Sequence, residues 1–233
     1  MIRTRKQWET YLQETLDASL PVGQRGFITG DNVKDFYENG LKLLSQIKEL
    51  SDIDLNNKSV LDIGCANGRL PVVLDGEDIN IAMYTGFDVM KVSIDNCRKS
   101  FDSSEKYNFI HLPFHNARYA RHQKQIDIDL SVLAIRPYDL IVMNSVFTHT
   151  GHSSNVPPYL REIVKLMSDD TKFYATWFKS PPNKVSFNER KSVYPESFIR
   201  HHYTMAGLEI VHDTGGNTVS NHNHWRILAR KIN

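Results

Sequence analysis

The sequence predicts an α/β fold, in which helices flank a doubly wound, mostly parallel sheet of seven strands. Two observations predict the sheet: short apolar segments recur from residue 59 onward, and segments with helical spacing of apolar residues separate several of them. A third observation concerns the last two apolar segments, which are joined only by a Gly-, Asn- and His-rich stretch. Because that stretch is too short for a helical crossover, we expect this pair to place an antiparallel strand near one edge of the sheet.

The first fifty residues predict a helical N-terminal extension. Trp8 and Leu12 share one helical face, and a longer apolar stripe runs over residues 33–47. The stretch PVGQRGFITG between them contains one Pro and three Gly, which is typical of a loop. We therefore divide the chain into residues 1–52, a helical extension or lid, and residues 53–233, the domain that holds the sheet.

The predicted strands are short and mostly apolar. Their segments are SVLDIG (59–64), MYTGFD (83–88), YNFIHL (107–112), YDLIVMN (138–144), KFYATWF (172–178), LEIVHD (208–213) and WRILARKI (225–232). Between the second and third strands, apolar residues recur at helical spacing from Met90 to Phe101. After the fifth strand, the polar stretch 180–197 predicts a long loop, which together with residues 23–30 we expect to determine the substrate.

Composition and charge argue against several classes of protein. The chain has 233 residues, enough for one sizeable domain, with 28 Lys and Arg against 27 Asp and Glu. The formal net charge of +1 argues against a dedicated nucleic-acid surface. No apolar run approaches the ~20 residues of a membrane span, and the charged N-terminus lacks the apolar core of a signal peptide. Two cysteines are too few for a disulfide framework, so we expect a cytoplasmic protein.

Two histidine clusters are the candidate metal ligands, HTGH at 149–152 and HNH at 222–224. Neither cluster has an adjacent carboxylate, and hard cations prefer oxygen ligands. We therefore interpret both clusters as polar loop residues and expect no metal site.

The first predicted strand ends in the turn SVLDIGCANGRL. In an open parallel sheet, ligands bind beyond the carboxyl ends of the strands. Gly64 permits a sharp turn there, Gly68 lets the next helix pack closely, and the small Ala66 leaves the backbone open to a ligand. Together with Asp62 and Asn67, these residues form the predicted cofactor-binding turn.

A second acidic residue, Asp88, ends the second strand, where a carboxylate can accept hydrogen bonds from a ribose diol. The turn before it reads G-x-A-x-G and departs from the G-x-G-x-x-G fingerprint of dinucleotide sites. Asp62 would repel a pyrophosphate, but it suits an ammonium group. A ligand with an adenosine at one end and an amino acid at the other fits both carboxylates, and S-adenosylmethionine is that ligand.

Four segments, in order, resemble the motifs of class I S-adenosylmethionine-dependent methyltransferases. VLDIGCANGRL resembles the first motif, and YTGFDV resembles the acidic second-strand motif. YDLIVMNSVFTHT resembles the fourth-strand motif of a bacterial subgroup that reads SVFTH, and PYLREIVKLMSDDTKFYATWF resembles the helix and strand that follow. The resemblance covers roughly residues 59–210 and implies a Rossmann-like fold.

The resemblance also implies further contacts with the cofactor. Met90 follows the second strand, and Asn144 lies just past the fourth strand, beside the expected position of the methyl group. We assign both to cofactor binding, with substrate contact as a further role of Asn144. Pro113 stands where the family often has an Asp that contacts the adenine amino group, so we expect Phe114 or Asn116 to serve instead.

His149 is the candidate catalytic residue. It follows the fourth strand, on the loop that borders the substrate in this fold, and a histidine suits removal of the proton from a hydroxyl nucleophile. Phe147 is expected to supply an apolar wall for the sulfonium. The alternative is that the FTH triplet is a structural loop feature whose imidazole is bonded to the backbone.

The sequence thus favours methyl transfer from S-adenosylmethionine to a small-molecule or glycan acceptor, at a hydroxyl oxygen. An RNA or protein methyltransferase is the alternative, but it would need a basic rim or an extra recognition domain. A non-catalytic module that binds S-adenosylmethionine is the third interpretation, which the departures at Ala66 and Pro113 suggest.

Overall fold

The structure is a computed structural model that describes residues 3–19, 33–102, 104–114, 128–150, 152–182, 184–188, 191–215 and 224–232. Its helices are α1 (Arg5–Ser19), α2 (Val33–Ser51), α3 (Arg69–Gly76), α4 (Lys91–Ser100), α5 (Val156–Leu166) and α6 (Glu196–Met205). Its strands are β1 (Ser59–Ile63), β2 (Met83–Asp88), β3 (Tyr107–His111), β4 (Leu140–Met143), β5 (Lys172–Trp177), β6 (Lys179–Ser180), β7 (Ser186–Asn188), β8 (Lys191–Pro195), β9 (Leu208–Asp213) and β10 (Trp225–Lys231). The expected loop at 23–30 and Asn116 lie outside the described residues. None of the described helices is long and apolar enough to cross a membrane.

Seven strands form one sheet in the order β3-β2-β1-β4-β5-β10-β9. β1 pairs in parallel with β2 and β4, and β4 pairs in parallel with β5. β10 is antiparallel to both of its neighbours, β5 and β9. The prediction of a mostly parallel, seven-stranded sheet with an antiparallel strand near one edge is confirmed. Because the strand order reverses between β1 and β4, a crevice forms beyond their carboxyl ends.

Apolar side chains cover both faces of the sheet. Val60 of β1 belongs to one buried cluster, whereas Leu61 belongs to a second cluster on the other face. Helices α1 and α2 pack into the same cluster as Val60. Trp8 of α1 is fully buried there, and its Nε1 donates to Oδ2 of Asp75 at 2.8 Å. The N-terminal helices therefore share a core with the sheet, and a domain boundary at residue 52 stays a prediction.

The stretch 180–197, which the sequence predicts as a long loop, contains a small sheet. Its strand order is β6-β8-β7, with β8 parallel to β6 and antiparallel to β7. Tyr194 of β8 is fully buried, and its ring packs edge-on against Trp177 with centroids 5.4 Å apart. The hydroxyl groups of Tyr194 and Thr150 share a hydrogen bond of 2.5 Å. Trp177 and Thr150, the partners of Tyr194, lie outside the stretch 180–197. The polar residues within that stretch therefore did not reveal its strands.

Candidate functional site

A cavity of about 350 Å³ opens at the carboxyl ends of β1, β2 and β4, and Phe36 and Leu43 of α2 contribute to its wall. Its volume falls in the range of small-ligand sites, ~300–1,000 Å³. Most of the residues that the sequence predicts for the site line this cavity, namely Asp62, Gly64, Ala66, Asn67, Asp88, Met90, Asn144 and His149. The predicted sites of the cofactor and of the base therefore belong to one cavity.

The turn after β1 requires glycine at position 64. Gly64 has a φ of 78°, in the left-handed region that side-chain-bearing residues rarely adopt. A Cβ atom at this position would lie 2.4 Å from Cγ2 of Val146. Because Val146 belongs to the loop after β4, the absence of a side chain at Gly64 lets that loop approach the turn. The turn and the loop then face each other across the cavity.

The carboxylate of Asp88 ties the end of β2 to this turn. Its Oδ2 accepts from the backbone N–H of Ala66 at 2.9 Å, and its Oδ1 accepts from that of Met90 at 2.8 Å. Burial raises the pKa of Asp88 above its ordinary value, while these N–H groups act in the opposite direction. Each oxygen keeps a further lone pair for a ligand. The Asp88 carboxylate therefore holds the turn in place and also lines the cavity, where it can accept hydrogen bonds from a ligand.

Asp62 is buried at the end of β1, where the Tyr84 hydroxyl donates to its Oδ2 at 2.5 Å. Burial raises the pKa of Asp62 to about 7, although the hydrogen bond from Tyr84 favours the ionised form. A cationic ligand group in the cavity would further favour the ionised form. The chemistry of this position suits an ammonium group.

Two polar side chains of the cavity wall have unsatisfied hydrogen-bonding atoms. Nδ2 and Oδ1 of Asn67 and Nε of Arg69 are enclosed and have no hydrogen-bond partner among the described residues. The Arg69 guanidinium lies 5.4 Å from the centroid of the Phe36 ring. Since buried polar groups are nearly always hydrogen-bonded, these atoms point to a ligand.

Sequence reasoning missed Arg69, although a signal was present. Arg69 directly follows Gly68 and is the first residue of α3, at a helix N-terminus that borders the crevice. Burial lowers the pKa of its guanidinium, and the nearby Asp62 acts in the opposite direction. An arginine next to the predicted turn is therefore a candidate partner for an anionic part of the ligand.

The loop after β4 forms the opposite wall of the cavity through Asn144, Ser145 and Val146. Ser145 has a φ of 61°, and its backbone N–H donates to Oγ1 of Thr176 at 2.7 Å. Thr176 Oγ1 in turn donates to Oδ1 of Asn144 at 3.5 Å. Non-glycine residues in the left-handed region cluster at functional sites. The end of β5 thus holds the loop in a strained conformation beside the cavity.

His149 ends a short 3₁₀ turn, Phe147–His149, and lines the cavity together with Tyr159 of α5. Its backbone N–H donates to the carbonyl oxygen of Val146 at 2.8 Å. The expectation that Phe147 faces the ligand is wrong, because its fully buried ring stacks on Trp177 with centroids 4.0 Å apart. Tyr159 takes its place as the aromatic wall beside His149.

Two predicted cofactor residues, Gly68 and Phe114, do not line this cavity. Gly68 has a φ of 77°, and a Cβ atom there would lie 3.0 Å from Sγ of Cys97. Its role is therefore close packing at the start of α3. Phe114 is buried with its ring edge-on to Phe87 at a centroid distance of 6.4 Å, and it is Phe87 that lines the cavity.

The two histidines of the 149–152 cluster lie in different surroundings. His149 lines the cavity, whereas His152 is exposed, with its Nδ1 2.7 Å from Oγ of Ser154. His222 lies outside the described residues. Within the described part of the chain, no group of three or more His, Cys, Asp or Glu side chains is placed to hold a metal ion.

The fold and the cavity define the class of protein, an α/β domain with a cavity of small-ligand size at its strand ends. The profile of a protein family described as "Methyltransferase domain" matches residues 37–213, which span the cavity and most of the sheet. The chain belongs to this family. It is an S-adenosylmethionine-dependent methyltransferase with S-adenosylmethionine as its cofactor.

Solved structures of several methyltransferases have the same fold. A SAM-dependent methyltransferase from Leishmania major is 13% identical, with a TM-score of 0.61 over 99% of this chain and 85% of that one. Magnesium protoporphyrin IX methyltransferase from Synechocystis, solved with bound SAH, is 15% identical, with a TM-score of 0.58 over 96% and 99%. A methyltransferase from Clostridium acetobutylicum is 10% identical, with a TM-score of 0.55 over 98% and 99%. At these identities, the likeness concerns the fold.

Proposed function

We propose that the cavity at the ends of β1, β2 and β4 binds S-adenosylmethionine, and that the enzyme transfers its methyl group to a hydroxyl oxygen of a small-molecule or glycan acceptor. One observation carries the proposal. The cavity combines two buried carboxylates, Asp62 and Asp88, with the unsatisfied polar atoms of Asn67 and Arg69. A nucleoside joined to a zwitterionic amino acid needs hydrogen-bonding groups of both kinds.

The same residues suggest an orientation for the cofactor. Asp62 binds the ammonium group, while Arg69 and Asn67 bind the α-carboxylate. Asp62 and Arg69 lie close enough to influence each other's pKa. This closeness is expected if they bind the ammonium and the carboxylate of the cofactor, because both groups are bonded to the same α-carbon. Asp88 accepts hydrogen bonds from the ribose diol at the end of the neighbouring strand β2. The amino acid then lies over β1, and the nucleoside lies over β2.

In this orientation the acceptor approaches from the side of β4, where Asn144 and His149 lie. S-adenosylmethionine supplies a methyl group that is bonded to a positively charged sulfur. His149 takes the proton of the acceptor hydroxyl, and Tyr159 forms the apolar wall beside it. A positioned general base typically contributes ~10²–10⁴-fold to such a step.

The proposal of a small-molecule or glycan acceptor has support from charge and from sequence. The net charge of +1 gives no sign of a dedicated nucleic-acid surface. The resemblance to the bacterial SVFTH subgroup favours an acceptor from sugar or polysaccharide pathways. We keep RNA and protein methylation as the alternative.

We also propose that residues 1–52 act as a lid over the cofactor, because Phe36 and Leu43 of α2 line the cavity. Hydrogen exchange tests the lid. Binding of S-adenosylhomocysteine should slow exchange of the α2 amides more than that of α6, which does not line the cavity. Equal exchange in α2 with and without ligand would show that it is no lid.

We place the enzyme in the cytoplasm. Cys65 and Cys97 are both free and buried, and Sγ of Cys97 lies 3.4 Å from the carbonyl oxygen of Ala66. Free thiols in contact with a ligand-binding turn fit a reducing compartment.

The role of His149 is tested by His149→Ala, with His152→Ala as the matched control. An acceptor is first identified by a methyl-release screen over nucleotide sugars, short glycans and small phenols. We expect His149→Ala to lower turnover at least ~100-fold, with the cofactor affinity measured by calorimetry near that of the wild type. The exposed His152 should tolerate the change. Equal turnover in the two variants would return His149 to a structural role in the FTH turn.

A further inference from the structure

We propose that the methyl acceptor carries a carboxylate or phosphate group, and that Arg226, Lys191 and His224 bind this group at the edge of the sheet beside Asn144. The inference rests on the proposed function, because it assigns the acceptor to the side of β4 and β5. It adds the chemical class of the acceptor to the proposed reaction.

The position of Arg226 follows from strand pairing. β10 runs antiparallel to β5, and Arg226 is the partner of Thr176 in the register. Thr176 is the residue whose hydroxyl bonds to the backbone of Ser145 and to Asn144 in the cavity wall. Arg226 therefore lies one strand beyond Thr176 and two strands beyond β4, the strand that precedes the loop on the acceptor side of the cavity.

Lys191 and His224 converge on one aromatic ring at this edge. The Nζ atom of Lys191 lies 4.5 Å from the centroid of the Phe178 ring, and the ring of His224 lies 4.9 Å from it. Phe178 directly follows β5 and His224 directly precedes β10. Because side chains alternate along a strand, Thr176, Phe178, His224 and Arg226 share one face of the sheet.

Within the described ranges, the positive charge of this cluster has no carboxylate paired with it. Among the described residues, no carboxylate forms an ion pair with Arg226, Lys191 or His224. Nε of Arg226 is enclosed without a hydrogen-bond partner, and so is the hydroxyl oxygen of Tyr174 on the same face. Burial lowers the pKa of His224 to about 4, and the cations of Arg226, Lys191 and Lys42 act in the same direction. The two half-buried cations, Arg226 and Lys191, are costly without an anion, and a bound anion removes that cost. The neutral ring of His224 can donate an N–H group to the same anion.

The cluster is separate from the groups assigned to the cofactor. Neighbouring strands lie about 4.8 Å apart, and β5 and β10 follow β4 on the side away from β1 and β2. The α-carboxylate of the cofactor already has Arg69 and Asn67 at the start of α3. Arg226 and Lys191 are therefore placed to bind a second anion, which in this proposal the acceptor supplies.

The cluster favours a compact acceptor over a nucleic acid. Lys191 and His224 contact one aromatic ring, and Arg226 lies on the same face, whereas a nucleic-acid backbone needs basic side chains spaced along a groove. Two basic residues near this region are instead paired, Arg200 of α6 with Glu196 and Asp213, and Arg230 of β10 with Glu209. A single anionic group of the acceptor, bound beside the Phe178 ring, would match this arrangement of side chains.

The test uses the full-length enzyme saturated with S-adenosylhomocysteine and titrated separately with inorganic phosphate and with acetate, the two sources of an oxyanion. The variants are Arg226→Gln and Lys191→Gln, with Arg226→Lys to test rescue by charge. Arg230→Gln is the matched control, because Arg230 is an exposed residue of the same strand that pairs with Glu209. NMR signals of the His224 ring report binding. Since a charge-assisted hydrogen bond contributes ~1.5–3 kcal/mol, we expect each Gln variant to weaken binding of the preferred anion roughly 10- to 100-fold.

The control Arg230→Gln should bind the anion as tightly as the wild type. Arg226→Lys should recover part of the anion affinity that Arg226→Gln loses. All variants should keep their affinity for S-adenosylhomocysteine. The anion that binds more tightly identifies the source. Equal anion affinities in the wild type and in both Gln variants would overturn the proposal, as would the absence of anion binding in the wild type.

A second arm compares each acceptor from the methyl-release screen with its carboxylated or phosphorylated counterpart. We expect kcat/KM to favour the anionic member in the wild type and the preference to vanish in Arg226→Gln. Methylation that prefers neutral acceptors would overturn the inference and leave the proposed function standing. Loss of S-adenosylmethionine binding in the wild type would instead overturn the proposed function.

Discussion

Two neighbouring regions at the same edge of the sheet, the cavity at β1 and β2 and the cluster at β5 and β10, differ in charge. At the ends of β1 and β2, Asp62 and Asp88 are buried carboxylates that accept hydrogen bonds from Tyr84 and from backbone N–H groups. At the adjoining edge of β5 and β10, Arg226 and Lys191 are cations without a paired carboxylate among the described residues. The loop after β4 lies between these two regions.

This difference in charge suggests how the cofactor and the acceptor could bind to separate regions of one sheet edge. The acidic region suits the ammonium and ribose groups of the cofactor, and the basic region suits an anionic acceptor. Opposite charges on the two sides of β4 would guide each ligand to its own side and keep the acceptor next to the methyl group. The following experiments test this separation, beginning with the largest expected effect.

The largest effect is expected for Gly64→Ala, which would place a Cβ atom 2.4 Å from Val146. The turn and the loop after β4 would move apart, and we expect calorimetry to show at least a ~100-fold loss of S-adenosylhomocysteine affinity, equivalent to ~2.7 kcal/mol. Gly207→Ala is the control, because Gly207 has a similar φ of 81° but no atom within 4 Å of its Cβ position. A similar loss of cofactor affinity in both variants would show that backbone strain, and not the approach of the loop, is responsible.

An intermediate effect is expected from pH, through Asp62. The free enzyme holds Asp62 with a pKa of about 7, and an ammonium group binds the ionised form. Affinity for S-adenosylhomocysteine should therefore fall as the pH drops below that value, by up to ~10-fold per pH unit for one linked proton. Asp62→Asn should bind weakly and without this dependence. A pH profile that is the same in the wild type and in Asp62→Asn would contradict the assignment of Asp62 to the ammonium group.

The smallest effect is expected for Ala66→Gly. Ala66 has a φ of 48°, and the left-handed conformation costs a side-chain-bearing residue ~1–2 kcal/mol, which the greater freedom of glycine in the unfolded chain partly offsets. We expect the free energy of unfolding in urea to rise by less than ~1 kcal/mol and the cofactor affinity to stay unchanged. A marked loss of affinity would show that the methyl group of Ala66 contacts the ligand.

The acidic region was predictable because its residues are close together in sequence. Asp62, Gly64 and Gly68 belong to one turn, and Asp88 ends the next strand of a sheet whose parallel order the sequence also predicts. Local patterns of this kind keep their meaning once the strands pair. Arg69 directly follows this turn, but its position alone does not show that its Nε is buried without a partner, and it was missed.

The basic region was not predictable from the sequence. Lys191 comes from a segment expected to be a loop, and Arg226 lies in a strand where a single arginine gives no signal. They come together through the antiparallel pairing of β10 with β5 and through the small sheet that contains β8. Phe147 failed for a related reason, since its stacking partner Trp177 lies thirty residues along the chain, on β5.

The separation of the two regions is tested most directly by measuring two affinities in two variants, Asp88→Ala and Arg226→Gln. Calorimetry gives the affinity for S-adenosylhomocysteine, and NMR titration of the ligand-saturated enzyme gives the affinity for the preferred anion, phosphate or acetate. We expect Asp88→Ala to weaken only the first and Arg226→Gln only the second, each by roughly 10- to 100-fold. If both variants weakened the same ligand, or if Arg226→Gln left anion binding unchanged, the division of the cavity edge into a cofactor side and an acceptor side would be wrong.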